Sequence, residues 1–318
     1  MHDAQKETMT IVVPVKNRPH LVSRTLDSIK AQTWRPLRVV VVDNDSTDET
    51  PDVLRRWKAE NETPDFQVDI FEEKTPGPAA ARARGVEEVD SRLVMHFDSD
   101  DIMEPHHVET VMQRFAADDY PDLVYFRIRQ NSIDGKKSMI SHSPGSDGII
   151  DSHLKHSILS TPRFACETAL IRRAGSWNRK LVCWEDFELG LRILLEARRR
   201  AFIKDVEIEI YSREESVTGT EFFSKRGKWE EALREMEKTL EKSTHPKRRK
   251  WMRYISYRKA ILAAAYRKEG HPEEAKALLK EALANPLLNA LQRSYFRVAY
   301  QYTALGGRGA YIPGRFIL

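Results

Sequence analysis

The chain has 318 residues and a mass of 36.8 kDa, which at roughly 150 residues per domain points to two domains. It is 41% hydrophobic and 31% charged, and 52 basic against 48 acidic residues leave a net charge of +4, too little for a dedicated nucleic-acid binder. Two cysteines, Cys166 and Cys183, exclude a disulfide scaffold and fit a reducing compartment. No run approaches the roughly 18 apolar residues of a membrane span, and the first ten residues lack the apolar stretch of a signal peptide. The expectation is a cytoplasmic protein. Its charge is uneven: residues 213–318 carry 22 Lys/Arg against 12 Asp/Glu, a net +10, which leaves −6 for the rest. Domains are expected at 1–218 and 219–318.

The first part alternates strand and helix. Thr10 to Val15 is a β-branched run typical of a buried parallel strand, with Pro14 expected at its end because proline cannot donate to a central ladder. Pro19 to Gln32 places Leu21, Val22, Leu26 and Ile29 at helical spacing. Leu37 to Val42 is a second strand, and Asp43 to Asp48 supplies turn and cap chemistry before a helix opening at Thr50-Pro51. Val68 to Phe71 runs into the loop Thr75-Pro-Gly-Pro78 and an alanine-rich helix from Ala79 to Val89. Arg92 to Phe97 is a fourth strand, ending at Asp98-Ser-Asp-Asp101. Such repeats predict an α/β fold with a mostly parallel sheet covered on both faces. Each polar cluster follows a strand's C-terminal end, the edge where open α/β sheets bind ligands.

From about Phe222 the pattern is helical. Lys228 to Lys242, Trp251 to Glu269 and His271 to Ala284 read as helices, the last two broken at Gly270-His-Pro272. This pair weakly resembles a tetratricopeptide-type unit, and a fainter echo begins at Gly227. The simpler reading is an α-helical cap.

Asp98, Asp100 and Asp101 place three carboxylates within four residues. They repel one another unless something neutralises them, and a hard divalent cation is the obvious candidate. The alternative is a solvated turn capping the helix that starts near Pro105. Glu185-Asp186 opens an amphipathic helix, where acidic residues meet the macrodipole favourably. His106 and His107 read as exposed positions at a helix start. The stretch Ser141 to Gly148 reads as a mobile loop.

Five motifs occur in order: Val12 to Asn17 (VVPVKN), Val41 to Thr50 (VVDNDSTDET), Gly77 to Arg82 (GPAAAR), Asp98 to Asp101 (DSDD) and Trp184 to Asp186 (WED). Together they resemble the family-2 inverting glycosyltransferases over roughly Met9 to Glu196. The resemblance implies a GT-A-type nucleotide-diphospho-sugar-binding domain, followed here by an α-helical C-terminal region outside the family pattern. It also implies that Pro14 and Asn17 cradle base and ribose, that Asp43 and Asn44 contact the base, and that Arg82 lies near the diphosphate. Asp98 and Asp100 match the outer positions of the DxD motif, with Ser99 between them among the donor-binding residues. Asp100 is then the direct ligand of Mn2+ or Mg2+, with Asp98 and Asp101 beside it. Two positions depart from the pattern: Asn44 stands where a second Asp is common, and Ala83 where Asn is usual.

The same resemblance makes Asp186 the general base and gives Glu185 the acceptor hydroxyls or the orientation of the base. It implies metal-dependent inverting transfer of a single sugar, because the glutamine–arginine–tryptophan motif of processive synthases is absent and the helix reads Leu189-Gly-Leu-Arg192. The expected donor is a nucleoside-diphosphate sugar, a UDP-sugar first. The expected acceptor is a glycan or lipid-linked hydroxyl in polysaccharide synthesis. The basic helical region, densest at His245 to Lys250, suggests peripheral contact with the inner face of a membrane. The competing reading is an inactive GT-A-like domain that acts as an interaction protein through its helices.

Overall fold

The computed structural model describes residues 7–117, 119–132, 138–212, 222–307 and 317. They fall into two compact units, one of residues 1–143 and 158–213 and one of residues 144–157 and 214–318.

The first unit begins with β1 (Met9–Val15), α1 (Pro19–Lys30), β2 (Leu37–Asp43), α2 (Thr50–Asn61), β3 (Phe66–Glu72), α3 (Pro78–Glu87) and β4 (Leu93–His96). β1, β2, β3 and β4 pair in parallel in the spatial order β3-β2-β1-β4. Every residue of β1 is buried, as a β-branched strand covered on both faces should be. Pro14 sits one residue inside the strand's end. The Val12 carbonyl accepts the last bond on the β4 side, from the Phe97 N–H at 2.9 Å. By the two-residue period, position 14 faces the same way after that ladder has stopped, so the missing N–H forfeits no bond.

The sheet continues with β5 (Ile102–Met103), β6 (Leu123–Ser132), β7 (Ser138–Ile140), β8 (Phe164–Glu167) and β9 (Arg200–Ser212), with α4 (His107–Phe115) between β5 and β6. β8 runs antiparallel to both β4 and β6, whereas β6 and β9 are parallel. The sheet is therefore mixed: a parallel half joined at β4 to a half of both senses. α6 (Thr168–Arg173) and α7 (Glu185–Glu196) lie between β8 and β9. One core joins the strands to α1, α2 and α4 through Val22, Leu26, Leu54, Trp57, Val111 and Phe115.

The second unit contains α5 (Ile149–His156), α8 (Lys228–Lys242), α9 (Arg248–Lys268), α10 (Pro272–Leu283) and α11 (Ala290–Ala304). The helix pair expected around Gly270 is α9 and α10, with Gly270 at φ +91° and Pro272 opening α10. Composition did not mark α5 as part of this unit. Buried Asp151 accepts the Trp251 indole N–H at 3.2 Å and pairs with Lys250 at 2.7 Å, which fastens α5 to α9. The expected boundary near residue 218 lies outside the described residues.

Candidate active site

Because β1, β2, β3 and β4 are parallel, the loops after them gather at one edge. The loop after β1 carries Asn17 in the left-handed region (φ 50°). Its side-chain oxygen accepts the Thr47 N–H and its backbone N–H donates to Ser46 Oγ, both at 2.9 Å. Asp43, at the end of β2, is buried and accepts the Ser46 hydroxyl and N–H. Asn44 uses its whole amide on the next loop. It donates to the Glu73 and Thr75 carbonyls, each at 2.8 Å, and accepts the Gly77 N–H at 2.9 Å. Gly77 stands at φ +120°, a conformation that favours glycine. The sequence signal for this clasp is the Asn itself, since a carboxylate could not donate to two carbonyls.

The acidic turn after β4 is divided by depth. Ser99 and Asp101 are buried, while the Asp98 and Asp100 side chains keep 28% and 22% of their surface. Asp100 pairs with Arg18, a residue the motif comparison did not single out although it adjoins Asn17. Asp98 accepts from Arg82 Nη2 at 2.7 Å, and Arg82 Nη1 donates to Glu185 at 3.0 Å. Arg82 is thus the link between the acidic turn and the first turn of α7. Burial alone would weaken its charge, but the carboxylates of Asp98, Glu185 and Asp186 outweigh burial and hold it firmly protonated.

Beneath this link lies a stack that the sequence did not disclose. The Arg82 guanidinium sits 4.8 Å from the Trp177 ring centre, and the Trp177 indole N–H donates to His96 Nε2 at 3.0 Å. Burial first, and the Arg82 charge second, push His96 down to about 3, so it is neutral.

Glu185 is buried and Asp186 half-buried. Burial pushes the Glu185 carboxyl up to about 7 against the pull of Arg82, with the neighbouring Asp186 charge adding to the rise. The Asp186 carboxyl is likewise raised, chiefly by burial. Asp186 accepts its neighbour's N–H at 2.7 Å and the Thr161 N–H at 3.4 Å. Trp184, just before α7, holds a left-handed backbone (φ 53°), costly for a bulky residue by ~1–3 kcal/mol. Asn17 and Asp45 (φ 58°) share the left-handed conformation, which Asn and Asp adopt at little cost.

Other residues find quieter places. His106 is exposed as expected, but His107 is buried edge-to-face against Phe126 at 4.5 Å, because its helix turns that face to the core. Ser141 to Gly148 does not read as a free loop: the Gly145 N–H donates to Ser152 Oγ at 2.7 Å and Asp147 pairs with Lys155, both on α5. Cys166 and Cys183 are buried free thiols. Among the described residues no three His, Cys, Asp or Glu side chains form a metal cage, and no helix is long and apolar enough to cross a membrane.

A parallel half-sheet that ends in acidic loops, continued by an antiparallel strand and a helix bearing two carboxylates, defines a GT-A-type glycosyltransferase domain. A family model for Glycosyl transferase family 2 matches residues 10–177, more than half of the chain, and the chain belongs to that family. Among its relatives, glycosyltransferase GlyA of Streptococcus pneumoniae is 32% identical over 110 residues, 35% of this chain and 15% of GlyA, so this chain spans a small part of that protein. An Escherichia coli UDP-Gal:alpha-D-GlcNAc-diphosphoundecaprenol beta-1,3-galactosyltransferase is 24% identical over 67% of this chain and 76% of its own length. The fold is shared with S. aureus TarS in complex with UDP-GlcNAc (TM-score 0.66, 16% identity, 93% of this chain and 92% of that one). It is also shared with mannosyltransferase PcManGT from Pyrobaculum calidifontis, in complex with GDP-Man and Mn2+ (TM-score 0.55, 21% identity, 98% and 83%).

Proposed function

We propose that this glycosyltransferase moves a single sugar, with inversion, from a nucleoside-diphosphate sugar to an acceptor hydroxyl in a metal-dependent reaction. The observation that carries the reading is Arg82 bridging Asp98 to Glu185, which joins the donor edge of the sheet to the carboxylate pair of α7. A UDP-sugar is the first choice of donor, in keeping with the named donor of the Escherichia coli relative. That relative's diphosphoundecaprenol substrate also favours a lipid-linked or glycan acceptor.

The donor set suits a hard divalent ion such as Mn2+ or Mg2+. Asp100 and Asp98 offer carboxylate oxygens at a partly open rim, and such ions complete one or two carboxylates with water and phosphate oxygens. When bound, the ion supplies positive charge to the departing β-phosphate. Asp101, buried beneath, supports the turn. Asp43, Asn17 and Pro14 shape the base and ribose side, and Ser99, buried in the turn, stands with the donor-binding residues. Asn44 acts through the loop it clasps. Asp186 takes the proton from the acceptor hydroxyl, and a raised carboxyl brings a general base nearer neutral pH. Glu185, bound to Arg82, orients that base. Inversion needs one displacement and no covalent intermediate. The exposed cations of His245 to Lys250, notably Lys247 and Arg249, provide for peripheral membrane contact from a cytoplasmic location.

The test is thermal stability with UDP, GDP, dTDP or CDP, each with and without Mn2+. A ligand at 100 times its Kd adds about 2.7 kcal/mol. A shift that needs both one nucleotide and the metal supports the reading. Asp100→Asn should remove the metal-dependent part, whereas Asp186→Asn should keep the shift and lose turnover by about 100-fold or more. No shift with any nucleotide would overturn it.

A further inference from the structure

Arg82 links the acidic turn to α7 with only part of its guanidinium. Nη2 serves Asp98 and Nη1 serves Glu185, one hydrogen bond to each carboxylate, so neither partner grips it in the two-pronged manner that would fix its plane. The remaining donor, Nε, is buried and finds no hydrogen-bond partner among the described residues. What faces the guanidinium instead is the Trp177 ring, whose centre lies 4.8 Å from Cζ. A cation over an aromatic face is attracted by the ring quadrupole, most strongly where water is excluded, and both residues are buried.

Trp177 is itself held. It lies between α6 and α7, upstream of Glu185, and its indole N–H reaches across to His96 on β4, just before Asp98. The two rings meet edge-on, with centres 5.1 Å apart. This hydrogen bond therefore joins the same two segments that Arg82 joins, and Arg82 packs against it. The surroundings do not call for a polar ring at position 96: His96 is 1% exposed, and the Phe164 ring centre lies 6.3 Å from its own. Because Nε2 accepts from Trp177, the ring proton is on Nδ1, which is buried without a hydrogen-bond partner among the described residues. Burying an unmet N–H lowers stability, and a leucine there would carry no such cost. What the histidine supplies and a leucine cannot is an acceptor that sets the Trp177 ring.

We propose that Trp177 is the positioning residue that fixes the Arg82 guanidinium between Asp98 and Glu185, and that His96 holds Trp177 in place for that task. The inference rests on the reading of Arg82 as the link between the donor edge and the carboxylate pair, and it assigns the residues behind that link. Neither Trp177 nor His96 needs to touch donor or acceptor. Both act through the plane and place of one cation.

The test is calorimetric titration of the full chain with UDP, GDP, dTDP and CDP, each with Mn2+. For the nucleotide that the wild type binds, Trp177→Leu should weaken binding about three- to thirtyfold, because the guanidinium loses its platform. Trp177→Phe keeps a ring but no donor, and His96→Leu leaves the indole without its acceptor, so each should lose about three- to tenfold. His96→Gln, whose side-chain oxygen can accept the indole N–H, should stay within about twofold of the wild type. In the Arg82→Lys background the loss from Trp177→Leu should shrink to about twofold or less, since an ammonium has no plane to hold. Trp177→Phe and His96→Gln keep the core filled and carry the test if a leucine variant does not fold. In the chain without nucleotide or metal, the Trp177 ring current should displace the Arg82 Nε–H resonance upfield, and Trp177→Phe should alter that displacement. A loss from Trp177→Leu as large in the Arg82→Lys background as in the wild type would reduce the effect to packing and overturn the inference while the donor reading stands. Equal losses in His96→Leu and His96→Gln, or an Arg82 resonance that no Trp177 variant moves, would overturn it as well. A wild type that binds none of the four nucleotides would overturn both.

Discussion

At the scale of single residues, the site is organised by charge held out of water. Glu185 has an ordinary carboxyl value of 4.5 and a folded value of about 7. Between these the folded state keeps a proton that the unfolded chain has lost, so this residue's contribution makes stability fall as pH rises through that window. The size is on the order of 3 kcal/mol. Glu185→Gln should therefore flatten the decline of the thermal midpoint between about pH 5 and pH 8, and be the more stable protein at the upper end. An equal decline in both proteins would show that Glu185 is not protonated in the fold. Arg18 pairs with Asp100, the ligand proposed for a divalent ion, and both side chains are partly exposed. Arg18→Ala should tighten Mn2+ binding without nucleotide by roughly two- to fivefold, read by calorimetry, while a weaker affinity would make Arg18 a helper of the ion instead. The carboxylates could be found from the sequence because their types and order stand in the chain. The His96–Trp177–Arg82 stack could not, since its members lie up to 95 positions apart and nothing local distinguishes a core histidine or tryptophan from this one. Asn44 lies between these cases. Its departure from a second Asp was visible, but its three bonds to a neighbouring loop were not.

Among the elements, β1 and β2 were legible because seven-residue, almost wholly apolar runs between polar clusters leave little choice, and the shorter β3 and β4 because each falls between helical patterns and ends at a loop rich in polar or turn residues. In the mixed half β5 and β8 were not, because they are two and four residues long, lack a following helix-and-loop repeat of the first kind, and owe their strand character to antiparallel pairing with β9 and β4. One close approach sets the packing of the parallel half. A Cβ added at Gly85 on α3 would lie 2.3 Å from Val12 Cγ1 on β1, well inside contact distance. Gly85→Ala should cost about 1–3 kcal/mol, measured by denaturant unfolding. Val12→Ala in the same chain should recover part of that loss, because it removes the methyl group that clashes. If the double variant were no better than Gly85→Ala alone, backbone freedom rather than space would explain the glycine.

For the whole molecule, composition separated a basic helical part from an acidic sheet part but missed that the helical unit also claims residues 144–157. That stretch is short, and its marks are tertiary: Asp151 held by Trp251 and Lys250, and Ser157 accepting from Arg258 at 3.2 Å. A chain ended at residue 213 would leave buried Asp151 without either partner and strip α5 of its packing. Such a truncation should be cleaved by protease within residues 144–157, where the full chain resists. Equal resistance would mean that α5 is stable alone. The polypeptide thus passes from one unit to the other three times, at 143/144, 157/158 and 213/214. For recombination this sets a condition. A single genetic crossover cannot lend these helices to another transferase, because one of them is encoded inside the catalytic domain, and any exchange must carry a matching insert between β7 and β8.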